Sequence, residues 1–160
     1  MSTTLRRSLR HALVLQVAAL VAGLVVIVSP GSTGSARAAT MSQGYRVVQI
    51  AASRKGAPYK WGAEGPRRFD CSGLTHWVFA HAGRRIPRLS RDQYRASRHV
   101  RRTSRRVGDL VFFHRGRRIR SIYHVGIYAG HGMMWNAPHT GARVRLERVY
   151  SSRAWYGRVG

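Results

Sequence analysis

Cys71 is the one cysteine in this 160-residue chain, and it stands in Arg68-Phe69-Asp70-Cys71-Ser72-Gly73-Leu74-Thr75-His76-Trp77. Leu74, Trp77, Val78 and His81 recur at helical spacing and Gly83 follows as a C-terminal cap, so the pattern predicts a helix that opens at or near Cys71. A helix start offers unpaired N–H groups and the positive end of the dipole, which favour a thiolate over a thiol. The chemistry of such a thiolate is nucleophilic attack. The competing reading is a buried cysteine acting as a small hydrophobe. Asp70 and Ser72 argue against it, because Cys71 does not lie inside an apolar run.

A cysteine nucleophile needs a base, usually histidine, and the histidine needs an orienting group. Of the eight histidines, His11 lies near the N-terminus, while His76 and His81 follow Cys71 on its own helix and point away from the first turn. His99, His114 and His131 lie in arginine-rich or turn surroundings. His124 differs: it opens His124-Val125-Gly126-Ile127-Tyr128, a strand pattern in which Gly126 leaves room on the same face. A surface histidine on a half-buried strand is the plainer alternative. If Gly130-His131-Gly132 folds the strands back about Gly130, Asn136 faces His124 directly, with Cβ atoms about 5 Å apart. The Asn carbonyl then accepts the ring N–H, fixes the tautomer and leaves the other nitrogen for the thiol. A slip of one residue would turn Asn136 to the other face and make His139 the orienting group.

The elements that must position these residues follow from pattern. Ser42 opens a helix to Lys55 with Tyr45, Val48, Ala51 and Ala52 on one side, and Gly56 and Pro58 end it. The segment 56–70 is rich in glycine and proline and reads as a loop. Ser90 caps a further helix through Ala96, and Arg91, Arg95, Arg98, Arg101 and Arg102 recur as its polar face. From Gly108 the period becomes two, giving strands at Leu110–Phe113, Ile122–Ala129, Met133–Trp135 and Arg143–Val149, with Tyr156–Val159 as a last edge strand. Helices first and hairpin-linked strands after indicate an α+β fold, with helices packed on an antiparallel sheet of about five strands.

The N-terminus reads as a leader rather than part of that domain. Arg6, Arg7 and Arg10 precede the uncharged run Ala12–Val28, and Ala36-Arg37-Ala38 supplies small residues for cleavage after Ala38. This is the order of a secretory signal over residues 1–38, leaving a domain at 39–160 with no stable membrane span after cleavage. An uncleaved anchor is the alternative, and the export route stays open. Export brings oxidising conditions in which small domains pair their cysteines, and a lone thiol cannot form an internal bridge. The chain carries a net charge of +24, with 27 arginines against two lysines and fourteen of those arginines between Arg84 and Arg120. Such a field attracts polyanions, whether wall polymers, anionic lipid or nucleic acid; a merely solvated face is the alternative.

Asp70-Cys71-Ser72-Gly73-Leu74, Gly108-Asp109-Leu110-Val111-Phe112-Phe113 and His124-Val125-Gly126-Ile127-Tyr128-Ala129-Gly130, in that order, resemble the NlpC-type papain-like peptidoglycan endopeptidases. Asn136-Ala137-Pro138 and Gly141 fit the continuation, and the likeness runs over roughly residues 44 to 159. It implies a papain-like fold and hydrolysis of cell-wall stem peptides, commonly between D-glutamate, through its γ-carboxyl, and the diamino acid that follows. It makes Cys71 the nucleophile, His124 the general base and acid, and Asn136 the third polar residue, where the family more often has histidine. Cys-His-Asn is a known variant. The resemblance further implies substrate contacts from Tyr59, Asp70 and Ser72; their plainer roles are aromatic packing for Tyr59 and helix capping for the other two. It requires no metal and no organic cofactor. The partners it implies are stem peptides, with anionic wall polymers held by the arginine-rich surface, nucleic acid being disfavoured. The chain is then secreted and wall-associated. Two rivals remain: a non-catalytic secreted basic protein that binds wall polyanions or nucleic acid, and a papain-like amidase or acyltransferase acting on another bond.

Overall fold

A computed structural model describes residues 32–160. It contains three α-helices, α1 (Ser32–Ala52), α2 (Cys71–His81) and α3 (Ser90–Ala96). Six strands follow: β1 (Arg98–Val100), β2 (Leu110–His114), β3 (Ile122–Gly130), β4 (Met133–Asn136), β5 (Arg145–Arg148) and β6 (Trp155–Arg158). All pair antiparallel in one sheet, in the order β1-β6-β2-β3-β4-β5. The α+β expectation holds, with six strands in place of about five.

The additional strand comes from the arginine-rich stretch. The helix expected to carry Arg98, Arg101 and Arg102 on its polar face stops at Ala96, because Ser97 turns extended and bonds its hydroxyl to the Tyr94 carbonyl at 2.9 Å. Arg98–Val100 then pairs with Tyr156–Arg158. The last strand is consequently not an edge: β6 lies between β1 and β2, and β1 closes its outer side. Ser90 does not cap α3 with its side chain; it is the first helical residue, after Leu89. At the other end of the domain α1 begins at Ser32 rather than Ser42, so Ala38 lies within it. The leader expected over residues 1–38 otherwise falls outside the described residues. Among the described residues no helix is long and apolar enough to cross a membrane.

The core has two layers. Between helices and sheet, Val47 and Ala51 of α1 and Leu74, Val78 and Phe79 of α2 bury against Leu110, Phe112, Val125 and Ile127. Val111, Phe113, Tyr128, Met134 and Tyr156 pack on the opposite face of the sheet. Strand β2 is thus buried on both sides, which is why Leu110-Val111-Phe112-Phe113 reads as an unbroken apolar run. Full burial of one such side chain contributes roughly 1.5–3 kcal/mol. The central strands are thereby held rigidly, and β3, which carries His124, is paired on both edges.

Candidate active site

Helix α2 begins at Cys71, as its pattern predicts, and Asp70 is its N-cap. Asp70 Oδ1 accepts the Gly73 N–H at 2.7 Å, and Oδ2 accepts the Gly62 N–H at 2.9 Å, tying the preceding loop to the helix start. Gly73 is required by this close approach: a Cβ there would lie 2.1 Å from the Ala63 carbonyl oxygen. The Arg88 guanidinium grips both Asp70 oxygens, at 3.0 and 2.5 Å, and donates to Ser72 Oγ at 2.9 Å. Buried Gln93 ties the neighbouring backbone together, its Nε2 donating to the carbonyls of Ser72 (3.0 Å) and Pro87 (2.8 Å). Gln93 Oε1 accepts from Thr75 Oγ1 at 2.8 Å, so α3 is stapled to α2 just behind the cysteine. The capping expectation for Asp70 is met, and both its oxygens are occupied by protein donors.

Cys71 is half-buried and lines a groove of about 790 Å³ together with Asp70, Ser72, Arg88, Arg120 and Tyr123. Burial pushes its thiol above the ordinary cysteine value, and the Asp70 carboxylate adds to the rise. Backbone N–H groups of Val125, Ser72 and Cys71 itself pull the other way without overcoming it. At this helix start desolvation outweighs the backbone N–H groups, and the thiol is raised rather than lowered. The Tyr59 phenol is raised chiefly by burial, with the charges of Cys71 and Asp70 adding to the rise. Helix α2 packs against β3, whose Val125, in one buried cluster with Leu74 and Val78, is one residue from His124.

His124 is buried and packs against Phe113, ring centroids 5.6 Å apart. Its Nε2 bonds Asn136 Oδ1 at 2.9 Å, which leaves Nδ1 unclaimed by that bond. Burial pushes the imidazole below its ordinary value, while the Asn136 bond and the Glu147 carboxylate raise it and His139 lowers it again. The direct cross-strand pairing expected of His124 and Asn136 does not occur. β3 and β4 run in the register Ile127↔Trp135 and Tyr128↔Met134, with an irregularity before Gly130. Continued, that register sets Asn136 beside Gly126 and diagonal to His124. The slip is two residues, an even number, so Asn136 stays on the histidine's face. Gly126 makes the diagonal reach possible, since a Cβ there would lie 3.3 Å from the Asn136 Cβ. His139 turns its Nδ1 to the Thr140 carbonyl instead.

Asn136 has a second partner that pattern reading passed over. Its Nδ2 donates to Glu147 Oε1 at 2.9 Å, and Glu147 Oε2 accepts from Arg145 Nε at 2.7 Å. Alternation along β5 marks Glu147 only as a strand residue, so no local signal singles it out. Arg88 and Gln93 were equally hidden, one among many arginines and the other inside a short helix. His124, Tyr123, Tyr150 and Glu147 line a further cavity of about 340 Å³, and Tyr123 also borders the Cys71 groove. Tyr150 stacks on Phe113 at 4.1 Å, and its phenol is raised by burial and by the bond with Tyr123. His76 and His81 point to the carbonyls of Ile86 and Trp77, away from the sulfur. Among the described residues no cluster of His, Cys, Asp and Glu could hold a metal ion.

A cysteine opening a helix against a sheet that carries histidine and asparagine on adjacent strands defines the papain-like class of α+β domains. Within it, residues 56–159 match the NlpC/P60 family, and the chain belongs to that family. It is 41% identical over 120 residues to a Corynebacterium glutamicum protein named "Probable endopeptidase", covering 75% of this chain and 54% of that one. It is 42% identical over 96 residues to the bifunctional muramidase/DL-endopeptidase CwlT of Bacillus subtilis, covering 59% and 29%. The peptidoglycan hydrolase RipB of Mycobacterium tuberculosis has a similar solved structure, with a TM-score of 0.65, 32% identity and coverage of 81% of this chain and 72% of that one. The chain spans about half the length, or less, of the curated relatives it matches.

Proposed function

We propose that this chain is a secreted, wall-associated peptidoglycan endopeptidase that hydrolyses stem-peptide amide bonds through Cys71, His124 and Asn136. The bond is that between the γ-carboxyl of D-glutamate and the following diamino acid, a reading supported by relatives named as endopeptidases and a DL-endopeptidase. The observation that carries it is the sulfur at the start of α2, open to a groove, with α2 packed against β3, whose His124 is bonded to Asn136.

The shifts at the two groups favour a neutral thiol and a neutral imidazole at rest. His124 Nδ1 takes the thiol proton as sulfur bonds to the stem-peptide carbonyl carbon, and the carbonyl π electrons move to oxygen. N–H groups at the helix start, with the Tyr59 hydroxyl beside them, stabilise that oxyanion. The imidazolium gives its proton to the departing amine and leaves a thioester. Water then loses a proton to His124 and attacks, the carboxylic product departs, and the sulfur recovers its proton. Asp70 and Ser72 shape the acyl side of the groove and hold Arg88 there. The arginines outside these bonds keep the protein on anionic wall polymers.

Purified sacculi incubated with wild type and Cys71→Ala, followed by mass spectrometry of released fragments, test the proposal. Wild type releases fragments ending in D-glutamate with the γ-carboxyl free, and Cys71→Ala releases none. Equal release by both proteins removes Cys71 from the chemistry, and cleavage at another bond removes the assigned specificity.

A further inference from the structure

We infer that the Glu147 carboxylate is a positioning residue, orienting the Asn136 amide so that Oδ1 faces the His124 Nε2–H and Nδ1 remains for the thiol. The role rests on the proposed catalytic use of His124, but its geometry is independent of that use. A primary amide has two orientations of nearly equal shape, and Asn136 is fully buried. Its surroundings must therefore choose between them. In the observed orientation Nδ2 donates to Glu147 Oε1 at 2.9 Å and Oδ1 meets His124 Nε2 at 2.9 Å. The flipped amide would set a carbonyl oxygen against a carboxylate oxygen at that distance, two acceptors with no proton between them. It would also offer an N–H to the ring nitrogen, forcing the proton onto Nδ1, the nitrogen the thiol needs.

The carboxylate is held in turn. Arg145 Nε donates to Glu147 Oε2 at 2.7 Å, which fixes the rotation of the carboxyl plane. The result is a line of four side chains crossing three strands, from His124 on β3 through Asn136 on β4 to Glu147 and Arg145 on β5. The titratable and polar groups about His124 are these three, His139 from the β4–β5 connection, and the phenols of Tyr123 and Tyr150. Glu147 favours the imidazolium through its charge as well as through the amide, and Arg145 offsets part of that charge.

Nitrogen-15 NMR titration of the His124 ring in the full chain decides the matter without reference to hydrolysis. Wild type holds the neutral ring with its proton on Nε2. Glu147→Gln, which keeps the shape and drops the charge, moves the His124 midpoint to lower pH and mixes the two tautomers. Arg145→Gln leaves Glu147 uncompensated and moves the midpoint to higher pH. The acid limb of kcat/KM follows with the same signs, and the Glu147→Gln plateau falls roughly ten- to a hundredfold, as for partners behind a ligating histidine. An unchanged His124 midpoint and tautomer in folded Glu147→Gln overturns the inference, as does a shift of the same sign in both variants. Should Glu147→Gln fail to fold, Arg145→Gln at its half-exposed site still decides, since no upward shift there overturns it. Wild type that cleaves nothing counts against the proposed function alone.

Discussion

Two aspartates in this strongly basic chain are each gripped by an arginine through both oxygens, and the two clamps do different work. Asp109 accepts from Arg158 at 2.7 Å on either oxygen and from the Arg106 N–H at 2.7 Å. That pair ties β6 to the turn before β2, with side chains 12% and 3% exposed, and borders a separate cavity of about 350 Å³ whose lining does not include Cys71. Asp70 accepts from Arg88 at 3.0 and 2.5 Å, but Arg88 is 24% exposed, also meets Glu64 at 3.2 Å, and lines the groove at Cys71. Identical chemistry thus serves as a strut in one place and as a wall of the candidate site in the other. What separates them is the degree of exposure and the neighbour each charge faces. A pair whose cavity lacks the sulfur acts on stability, whereas a pair bordering the Cys71 groove also sets the field at a reacting atom.

The comparison breaks most sharply at Asp109. Asp109→Ala leaves Arg158 on β6 without its partner, and denaturant unfolding should show a loss of about 3–5 kcal/mol. Peptide hydrolysis per folded molecule stays at the wild-type level; a parallel fall would mean that this clamp also serves the site. Arg88→Ala has a smaller effect on folding, about 1–3 kcal/mol, because Asp70 keeps its N–H donors from Gly62 and Gly73. Its hydrolysis rate falls up to about a hundredfold as the groove wall and the helix start loosen. Unaltered kinetics in that variant would make the two clamps equivalent.

Asp70→Asn sharpens the electrostatic side of the contrast. Asp70 raises the Cys71 thiol, so removing its charge lowers the thiol pKa and moves the midpoint of iodoacetamide alkylation to lower pH. Asp109→Asn leaves that midpoint where it is. An alkaline movement with Asp70→Asn contradicts the assigned sign. The smallest effect on folding is expected from Arg115→Gln with Arg120→Gln, both exposed, within about 0.5 kcal/mol. Retention on sacculi should nevertheless weaken and lose part of its salt dependence, which a titration with sodium chloride measures.

The sulfur's neighbourhood was legible because it is local. Eleven residues carry the α2 pattern, Asp70 caps it as its type suggests, and Gly83 ends it in a left-handed conformation. The α+β layout was legible for the same reason, since period and turn residues act over a few positions. Where neighbouring segments compete, reading failed. Arg98–Val100 looked helical on spacing, and its pairing with β6 won because an extended segment found a free ladder edge. The histidine–asparagine contact was foreseen on a register two residues away from the true one. It survived because side chains alternate with period two.

The chain's own order therefore determined that a lone cysteine begins a helix, that His124 and Asn136 share one face of neighbouring strands, and that the protein is strongly basic. Only the tertiary structure decided which of fourteen arginines clamps Asp70, which carboxylate stands behind Asn136, and which way burial moves the thiol. Those three outcomes depend on distances between segments far apart in sequence and on how much water each group loses. Neither quantity is written in local pattern.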